Sequence, residues 1–390
     1  MLLHWVWFAG LKEMDGRQKL WLLQRFRTPE DIYRLDRFGL RGLELPDNAV
    51  RALMNKNLDA AGQIVQSCME KQIGILVFTD SAYPERLRNI DDPPMVLYYK
   101  GKVPNMELQP VLGVVGTRKA SPYGLRAAAA MGNEIAACGA IIISGGAEGI
   151  DTMAMQGALD AGQITVSVQA GGLDTLYPKS NRKLFERVME KGCILSEYPP
   201  GVPSYRGNFL RRNRIISGIS NGVLVVEAPK ISGALNTARW AFEQGRDVFV
   251  VPGNIDVESC AGSNGLIGDI AQPALSGWAV VKEYAPFYPG SVRQVNAPKY
   301  TIQIPQSQEK VDKITVDKPA ESPYIVKEKY LPELSEQEKT VVAMLTDKPI
   351  PVDTVIEQVK LPAATVMTVL TKLSIKGIVK LHPGKYASLK

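Results

Sequence analysis

Between residues 111 and 251 the sequence predicts a doubly wound α/β domain with a mostly parallel sheet, and three observations predict it. Six short, β-rich apolar runs occur at 111–115, 140–144, 164–168, 193–196, 222–226 and 247–251. Helix-length stretches at 123–138, 150–161, 179–191 and 233–245 separate most of them, which gives a strand–helix–strand alternation. The runs are apolar without interruption instead of alternating, as in strands covered on both faces. Right-handed crossovers then wind helices onto both sides of the sheet, a Rossmann-like arrangement.

With 390 residues the chain has room for two or three domains. Residues 1–75 read as short helices with breaks. One is expected over 16–26, followed by Thr28-Pro29-Glu30, where Thr28 can cap a helix whose first position is Pro29. This segment resembles helix-hairpin-helix or SAM-like heads, reads equally as a helical docking domain, and carries no predicted site. The α/β domain is expected over 76–288. A stretch without period, marked by Pro289, Pro298, Pro305, Pro319 and Pro323, predicts a linker over 289–333. Residues 334–390 restart a domain: Ser335 and Glu338 have capping-box spacing, and helices follow near 352–359 and 363–376. Strands at 377–381 and 385–389 flank the turn His382-Pro383-Gly384. Three helices and a β-hairpin describe a winged helix.

Hydrophobic residues make up 45% of the chain and charged residues 22%, which excludes a disordered or fibrous protein. Cys68, Cys138, Cys193 and Cys260 form no CxxC pair, so a reducing cytoplasm is expected in place of a disulfide framework or zinc ribbon. The only histidines, His4 and His382, lie near opposite ends, which disfavours imidazole catalysis and a His-ligated metal. The apolar start lacks a basic leader and a cleavage site, and no apolar run approaches the roughly 18 residues of a spanning helix. Neither a signal peptide nor a membrane span is expected.

In a doubly wound sheet, ligands bind beyond the carboxyl ends of the strands, where helix N-termini offer free N–H groups. The loops there are rich in glycine: Gly116-Thr117-Arg118, then Gly145-Gly146, then Gly171-Gly172. Glycine lets an anion approach the backbone, so Gly145, Gly146, Gly171 and Gly172 are phosphate-loop candidates, although tight strand-to-helix turns need glycine as well. Neither G-x-x-x-x-G-K-[ST] nor G-x-G-x-x-G is present, which removes support for ATP hydrolysis and dinucleotide binding.

The net charge is +6, half of it within 335–390. A second asymmetry is local. No acid occurs between Glu197 and Glu227, whereas Arg206, Arg211, Arg212 and Arg214 all do, with Phe209 and Asn213 among them. Arginines that hold phosphates, beside a ring that stacks a base, are the parts single-stranded nucleic acid requires. Phe209 is equally compatible with a core position, and any one arginine with a solvated or salt-bridged face. Glu148, Asp151, Asp174 and Glu197 also stand near strand ends. With no histidine nearby and no Asp-x-Asp spacing, helix capping by Asp151 or Glu148 is preferred to metal or sugar chemistry.

Taken in order, motifs over about residues 76–284 resemble the DprA/Smf family of bacterial DNA-processing proteins. They include Tyr83-Pro84, Asp92-Pro93-Pro94, Val115-Gly116-Thr117-Arg118, Ser144-Gly145-Gly146-Ala147-Glu148-Gly149-Ile150-Asp151, and Gly172-Leu173-Asp174 with Tyr177-Pro178 and Asn181. Leu195-Ser196-Glu197-Tyr198, Arg212-Asn213-Arg214-Ile215-Ile216-Ser217-Gly218, Val225-Val226-Glu227-Ala228 and Gly245-Arg246-Asp247 continue the series. The last 55 or so residues are similar to the winged helix that many members carry.

The resemblance implies a non-enzymatic mediator of homologous recombination and natural transformation. Such a protein binds and shields single-stranded DNA, loads the recombinase RecA, acts as a homodimer through the Rossmann-like domain, and needs no cofactor. The matching basic pocket comprises Gly116, Arg118, Arg206, Phe209, Arg211, Arg212, Asn213 and Arg214. The family often has histidine where this chain has Met155, proline where it has Leu210, and a serine and a β-branched residue where it has Ala234 and Asn236. A second reading is a nucleotide phosphoribohydrolase-type enzyme, in which Ser232-Gly233-Ala234 and Glu243 would stand for a Pro-Gly-Gly loop and its glutamate. The Pro-Gly-Gly signature itself is missing. A third is a transcriptional regulator reading duplex DNA through 335–390.

Overall fold

Short helices lead the chain because polar, capping residues punctuate its apolar runs. They are α1 (Leu2–Gly10), α2 (Gly16–Phe26), α3 (Pro29–Arg34), α4 (Asp47–Met54) and α5 (Asp59–Glu70). Asp15 and Gln18 close a capping box on α2. As predicted, Pro29 opens α3 and Thr28 Oγ1 accepts from the Asp31 N–H at 3.1 Å. The computed structural model describes residues 1–40, 42–295, 335–346, 350–359, 361, 363–375, 378–382 and 386–389. These fall into two units, one on either side of 296–334. The predicted linker from residue 296 onward, and the turn residues Pro383 and Gly384, lie outside the described residues.

In the first unit, Trp5, Phe8, Leu22, Ile32 and Leu53 of the leading helices belong to the same buried core as the sheet. The boundary expected at residue 75 falls inside strand β1 (Gly74–Val77), which pairs antiparallel with β2 (Val96–Gly101). The six predicted runs are β3 (Val111–Val115), β4 (Ile141–Ser144), β5 (Thr165–Gln169), β6 (Cys193–Ser196), β7 (Gly222–Val225) and β8 (Asp247–Val250). With β9 (Gln272–Pro273) they form a sheet of order β1-β2-β6-β5-β4-β3-β7-β8-β9, parallel from β6 to β9. The pattern does not predict β1, β2 or β9: β1 is only half buried, β2 runs out into Lys100, and β9 is two exposed residues.

The chain leaves β3 toward β4 on one side and returns from β6 to β7 on the other. Strands β3 and β7 therefore adjoin at a topological switch point, with Val115 opposite Val225 in register. Helices α6 (Glu85–Arg88), α7 (Pro122–Ala137), α8 (Ile150–Asp160), α9 (Arg182–Lys191), α10 (Arg206–Ile219), α11 (Gly233–Glu243), α12 (Ala261–Asn264) and α13 (Gly277–Val281) complete the unit. One layer contains α7, α8, α9 and α13; the other contains α10 and α11.

The second unit has its own core of Val341, Val355, Val366, Leu370, Val379 and Ala387. Its helices are α14 (Glu336–Val342), α15 (Val352–Val359) and α16 (Ala363–Ile375). The predicted Ser335–Glu338 capping box is present. Strands β10 (Ile350–Pro351), β11 (Val379–His382) and β12 (Tyr386–Leu389) pair in the order β10-β12-β11, a winged helix with one more strand than the sequence predicts. Among the described residues, no helix is long and apolar enough to cross a membrane.

Helix α10 is fastened by charge. Arg214 is only 1% exposed; its Nε donates to Asp92 Oδ2 at 2.9 Å and its Nη2 to Glu197 Oε1 at 2.6 Å. Burial opposes the charge, but Glu197 and Asp92 outweigh it and hold the guanidinium above its ordinary pKa. Asp92 Oδ1 also accepts from the Gly16 N–H at 2.8 Å, so the same carboxylate seats the first residue of α2. Arg211 flanks the cluster, 3.3 Å from Asp92 and 3.6 Å from Glu197. Lys19 of α2 is buried nearby, donates to Ala9 O at 2.9 Å, and is pushed down to about 8 by burial, with Arg211 adding to the effect and Glu197 opposing it.

Two outcomes follow from this cluster. Arg214→Ala opens a cavity and leaves two half-buried carboxylates with only the exposed Arg211 beside them, and urea denaturation should show a loss of about 3 kcal/mol. Burial pushes the Asp92 carboxyl up, yet Arg214 and Arg211 hold it below the usual carboxylate range. A depressed acid contributes stability above its unfolded pKa and loses it as pH falls through its folded value. Melting temperature recorded against pH should therefore drop on acidification below about pH 4, and Asp92→Asn should start lower and flatten that acid limb.

Candidate nucleic-acid interface

The basic island of the sequence is helix α10. A helix turns by roughly 100° per residue, so side chains two positions apart point about 200° away from each other. Arg212 and Arg214 accordingly leave the helix in opposite directions. Arg212, 5% exposed, donates through Nη1 to the carbonyls of Val168 and Gly145, the latter at 3.1 Å. Burial lowers its pKa to about 10; Asp151 opposes the shift and the nearby Arg118 adds to it. Contrary to the sequence expectation, Arg212 and Arg214 are spent on the protein itself: Arg214 is not among the residues that line the cleft, and Arg212 lines it with its guanidinium already bonded to carbonyls.

The glycine loops are corrected in the same way. The Asp151 carboxylate accepts from the N–H groups of Gly145 and Ala147 at 3.1 and 3.3 Å, so an internal anion already occupies this loop. Burial pushes the Asp151 carboxyl up, against the pull of Arg212 and the loop amides. Gly145 is needed for close approach, because a Cβ there would lie 2.5 Å from Arg212 Nη2. Gly146 is buried against Phe185. The Gly172 N–H donates to Val202 O at 2.7 Å, and Gly171 packs on Ser204. None of these four is an open phosphate cradle. Asp151 braces the loop instead of capping α8, whose N-cap is Gly149, and Glu148 accepts from Ser180 Oγ at 2.6 Å.

What remains is a cleft of about 960 Å³ at the β3–β7 switch point. One wall is the loop after β3, with Gly116, Arg118 and Lys119; the second is α10, with Arg206, Phe209 and Leu210; the third is the first turn of α11, from Ser232. Arg118, Lys119 and Arg206 are exposed, and none lies within ion-pair distance of a carboxylate among the described residues. Lys119 is a cation that the sequence reading passed over, although it adjoins Arg118. Phe209 is half buried: the Arg118 guanidinium stands 4.9 Å from its ring centre, Arg212 stands 5.8 Å away, and Tyr177 meets it at 5.7 Å and 68°. Its ring is thus engaged by cations and orients Arg118, and is not the open stacking face expected from the sequence.

Two further residues shape the cleft. Glu227 is fully buried at the end of β7; its carboxylate accepts from Ser121 N–H at 3.0 Å and Ser121 Oγ at 2.6 Å, and its carbonyl accepts from Thr117 N–H at 2.8 Å. It therefore pins both ends of the loop that carries Arg118 and Lys119. Gly124 permits this, since a Cβ there would sit 2.0 Å from Glu227 Oε2. The sequence signal for Glu227 was a lone acid directly ending an apolar run. Asn213 is also internal, donating to Gly233 O at 3.1 Å and Asn236 Oδ1 at 3.2 Å, which braces the first turn of α11. Of the departures from the family pattern, Met155 is buried in α8, Leu210 stands exposed at the cleft rim, Ala234 is buried, and Asn236 supplies that brace.

Glu243 is the last residue of α11, roughly 15 Å along the helix from its first turn at 1.5 Å per residue, so it does not join Ser232 in the cleft. No group of three or more His, Cys, Asp or Glu among the described residues is placed to hold a metal.

Comparison with known proteins agrees with this architecture. Residues 74–285 match the family described as DNA recombination-mediator protein A, and residues 327–385 match the DprA winged helix domain. The chain is 43% identical to protein Smf of Synechocystis over 217 residues, 55% of this chain and 54% of that protein. It is 38% identical to DNA processing protein DprA of Bacillus subtilis, over 50% of this chain and 65% of the relative. The matched stretch thus spans about half to two thirds of these relatives' own lengths. Protein Smf of Escherichia coli is 35% identical over 79% of this chain and 75% of its own. The X-ray structure of DprA from Streptococcus pneumoniae superposes with a TM-score of 0.62 at 31% identity, covering 72% of this chain and 95% of that one. A Helicobacter pylori DprA structure, described for its single-stranded DNA binding mode, gives 0.51 at 29% identity, covering 56% and 97%. With its fold, its switch-point cleft and more than half of its length matched, the chain belongs to the DNA recombination-mediator protein A (DprA/Smf) family.

Proposed function

We propose that the chain binds single-stranded DNA in the switch-point cleft, with little dependence on sequence, and acts as a recombination mediator. One observation carries the reading: Arg118, Lys119 and Arg206 converge on a large cleft, and no carboxylate among the described residues pairs with them. Unpaired cations around a cleft hold phosphates, and phosphate contacts position a strand without reading its bases. Family membership and the single-stranded DNA binding mode for which the Helicobacter relative's structure is described support the same ligand. The proposal extends to shielding the strand, loading RecA, action as a cytoplasmic homodimer, and a role in natural transformation. The cleft reads as a binding site and not a catalytic one, because Asp151 is bonded to its own loop and Glu243 stands a helix-length away.

Fluorescence anisotropy with single- and double-stranded oligonucleotides across a salt series tests this. Three phosphate contacts at about 0.7 each predict a log–log salt slope of roughly −2 for the single strand. The double variant Arg118→Ala/Arg206→Ala should reduce the slope to about −0.7 and weaken binding at low salt. A salt-independent affinity, or a double variant that binds like the parent, would sink the reading.

A further inference from the structure

We propose that Glu227, which is not among the residues that line the cleft, is its positioning residue: it holds the loop after β3 at two points and so sets Arg118 and Lys119 in place for the phosphates. This rests on the single-strand reading above and adds what fixes two of its three cations.

The hold spans a very short stretch of chain. Glu227 O accepts from the Thr117 N–H at 2.8 Å, while the carboxylate accepts from the Ser121 N–H at 3.0 Å and from Ser121 Oγ at 2.6 Å. Only Arg118, Lys119 and Ala120 lie between those two points. The Lys119 N–H donates in turn to Thr117 Oγ1 at 3.2 Å, which ties this cation's backbone to the first point. Arg118 and Lys119 are exposed, so the backbone beneath them is what directs their side chains to the cleft. A cation whose backbone is ordered before binding loses less freedom when a phosphate arrives.

The surroundings of the acid are shaped to this task. Glu227 is 0% exposed, and no lysine or arginine lies within ion-pair distance of it among the described residues. A buried carboxylate without a cation needs hydrogen bonds. They come from Ser121, the N-cap of the 16-residue helix α7, whose start favours an anion. In doubly wound folds a ligand's phosphate can sit at such a helix start, whereas here the chain's own carboxylate fills it and leaves phosphates to the side chains of the loop. Two glycines keep the room it needs. A Cβ at Gly116 would lie 2.9 Å from Glu227 O, and one at Gly124 would lie 2.0 Å from Oε2.

Anisotropy titrations of the full chain with an oligothymidine at low salt test the proposal in three backgrounds. In the parent, Glu227→Ala should weaken binding by roughly 5- to 50-fold, from the cost of ordering two long side chains, and Glu227→Gln, which keeps one acceptor oxygen, by less. With Arg118→Ala/Lys119→Ala already present, neither change at 227 should weaken binding further; with Arg206→Ala present, the full factor should return. The same loss in every background, or no loss in the parent, overturns the proposal. Should Glu227→Ala fail to melt cooperatively, Glu227→Gln carries the same comparison. Hydrogen exchange without DNA supplies an independent reading: the amides of 117–121 should exchange faster in Glu227→Gln than in the parent, with those of α10 and α11 unchanged. An unchanged loop, or equal acceleration throughout, overturns it as well. A parent that does not bind the oligothymidine removes the cleft reading and the phosphate role with it, while the exchange result still decides whether Glu227 orders the loop.

Discussion

The structure turns on a buried guanidinium. Arg214 sits under helix α10 almost without solvent, and a charge in that position must be matched or the helix cannot seat. Two carboxylates from distant parts of the chain match it: Asp92, just before β2, and Glu197, just after β6. Asp92 spends its second oxygen on the first N–H of α2, so the leading helices, the antiparallel edge of the sheet and α10 share one electrostatic joint. Burying such a cluster need not add net stability, since desolvation offsets much of the attraction. What it does is set the rotation of α10 about its own axis. Once Arg214 faces the carboxylates, Arg212 must face the strand ends, and Phe209 and Arg206, about one and two turns earlier, fall along the cleft.

The cleft then divides its charges by depth. Two anions lie inside and are consumed internally, Asp151 by its own glycine loop and Glu227 by tying down the loop after β3 from both ends, while a third, Glu258, stands exposed among the lining residues. Cations lie outside and are left free at Arg118, Lys119 and Arg206. The sheet explains the division. Its parallel strands are apolar on both faces, so polar chemistry is confined to the carboxyl ends, and the switch point between β3 and β7 is where those ends open a gap. Acids that order the gap's loops must be buried to do so, which keeps their charge away from the phosphates a ligand would bring.

Much of the fold was legible because burial leaves a compositional trace. Six uninterrupted apolar runs became β3 to β8, and Thr28, Pro29, Ser335 and Glu338 marked helix starts by the hydrogen bonds that caps require. Strands β1 and β9 left no such trace, since edge strands are partly exposed and short, and β2, though paired on both sides, runs from buried Val96 out into Lys100 and Gly101. Helix α10 was the largest omission: its buried face includes two arginines, so charge masked the periodicity that would have revealed it.

The sequence by itself determined that this is a doubly wound α/β protein with a helical head and a winged helix, and that cations and glycines crowd the strand ends. It also named Arg118 and Arg206, both of which line the cleft. Only the tertiary structure decided which arginines are free, because a run such as Arg211-Arg212-Asn213-Arg214 distributes its side chains around a helix axis and only packing tells which faces meet carbonyls, carboxylates or water. The same holds for the glycine loops. Their composition permits an anion, and Asp151 from the start of the next helix and the distant Val202 are what occupy the N–H groups.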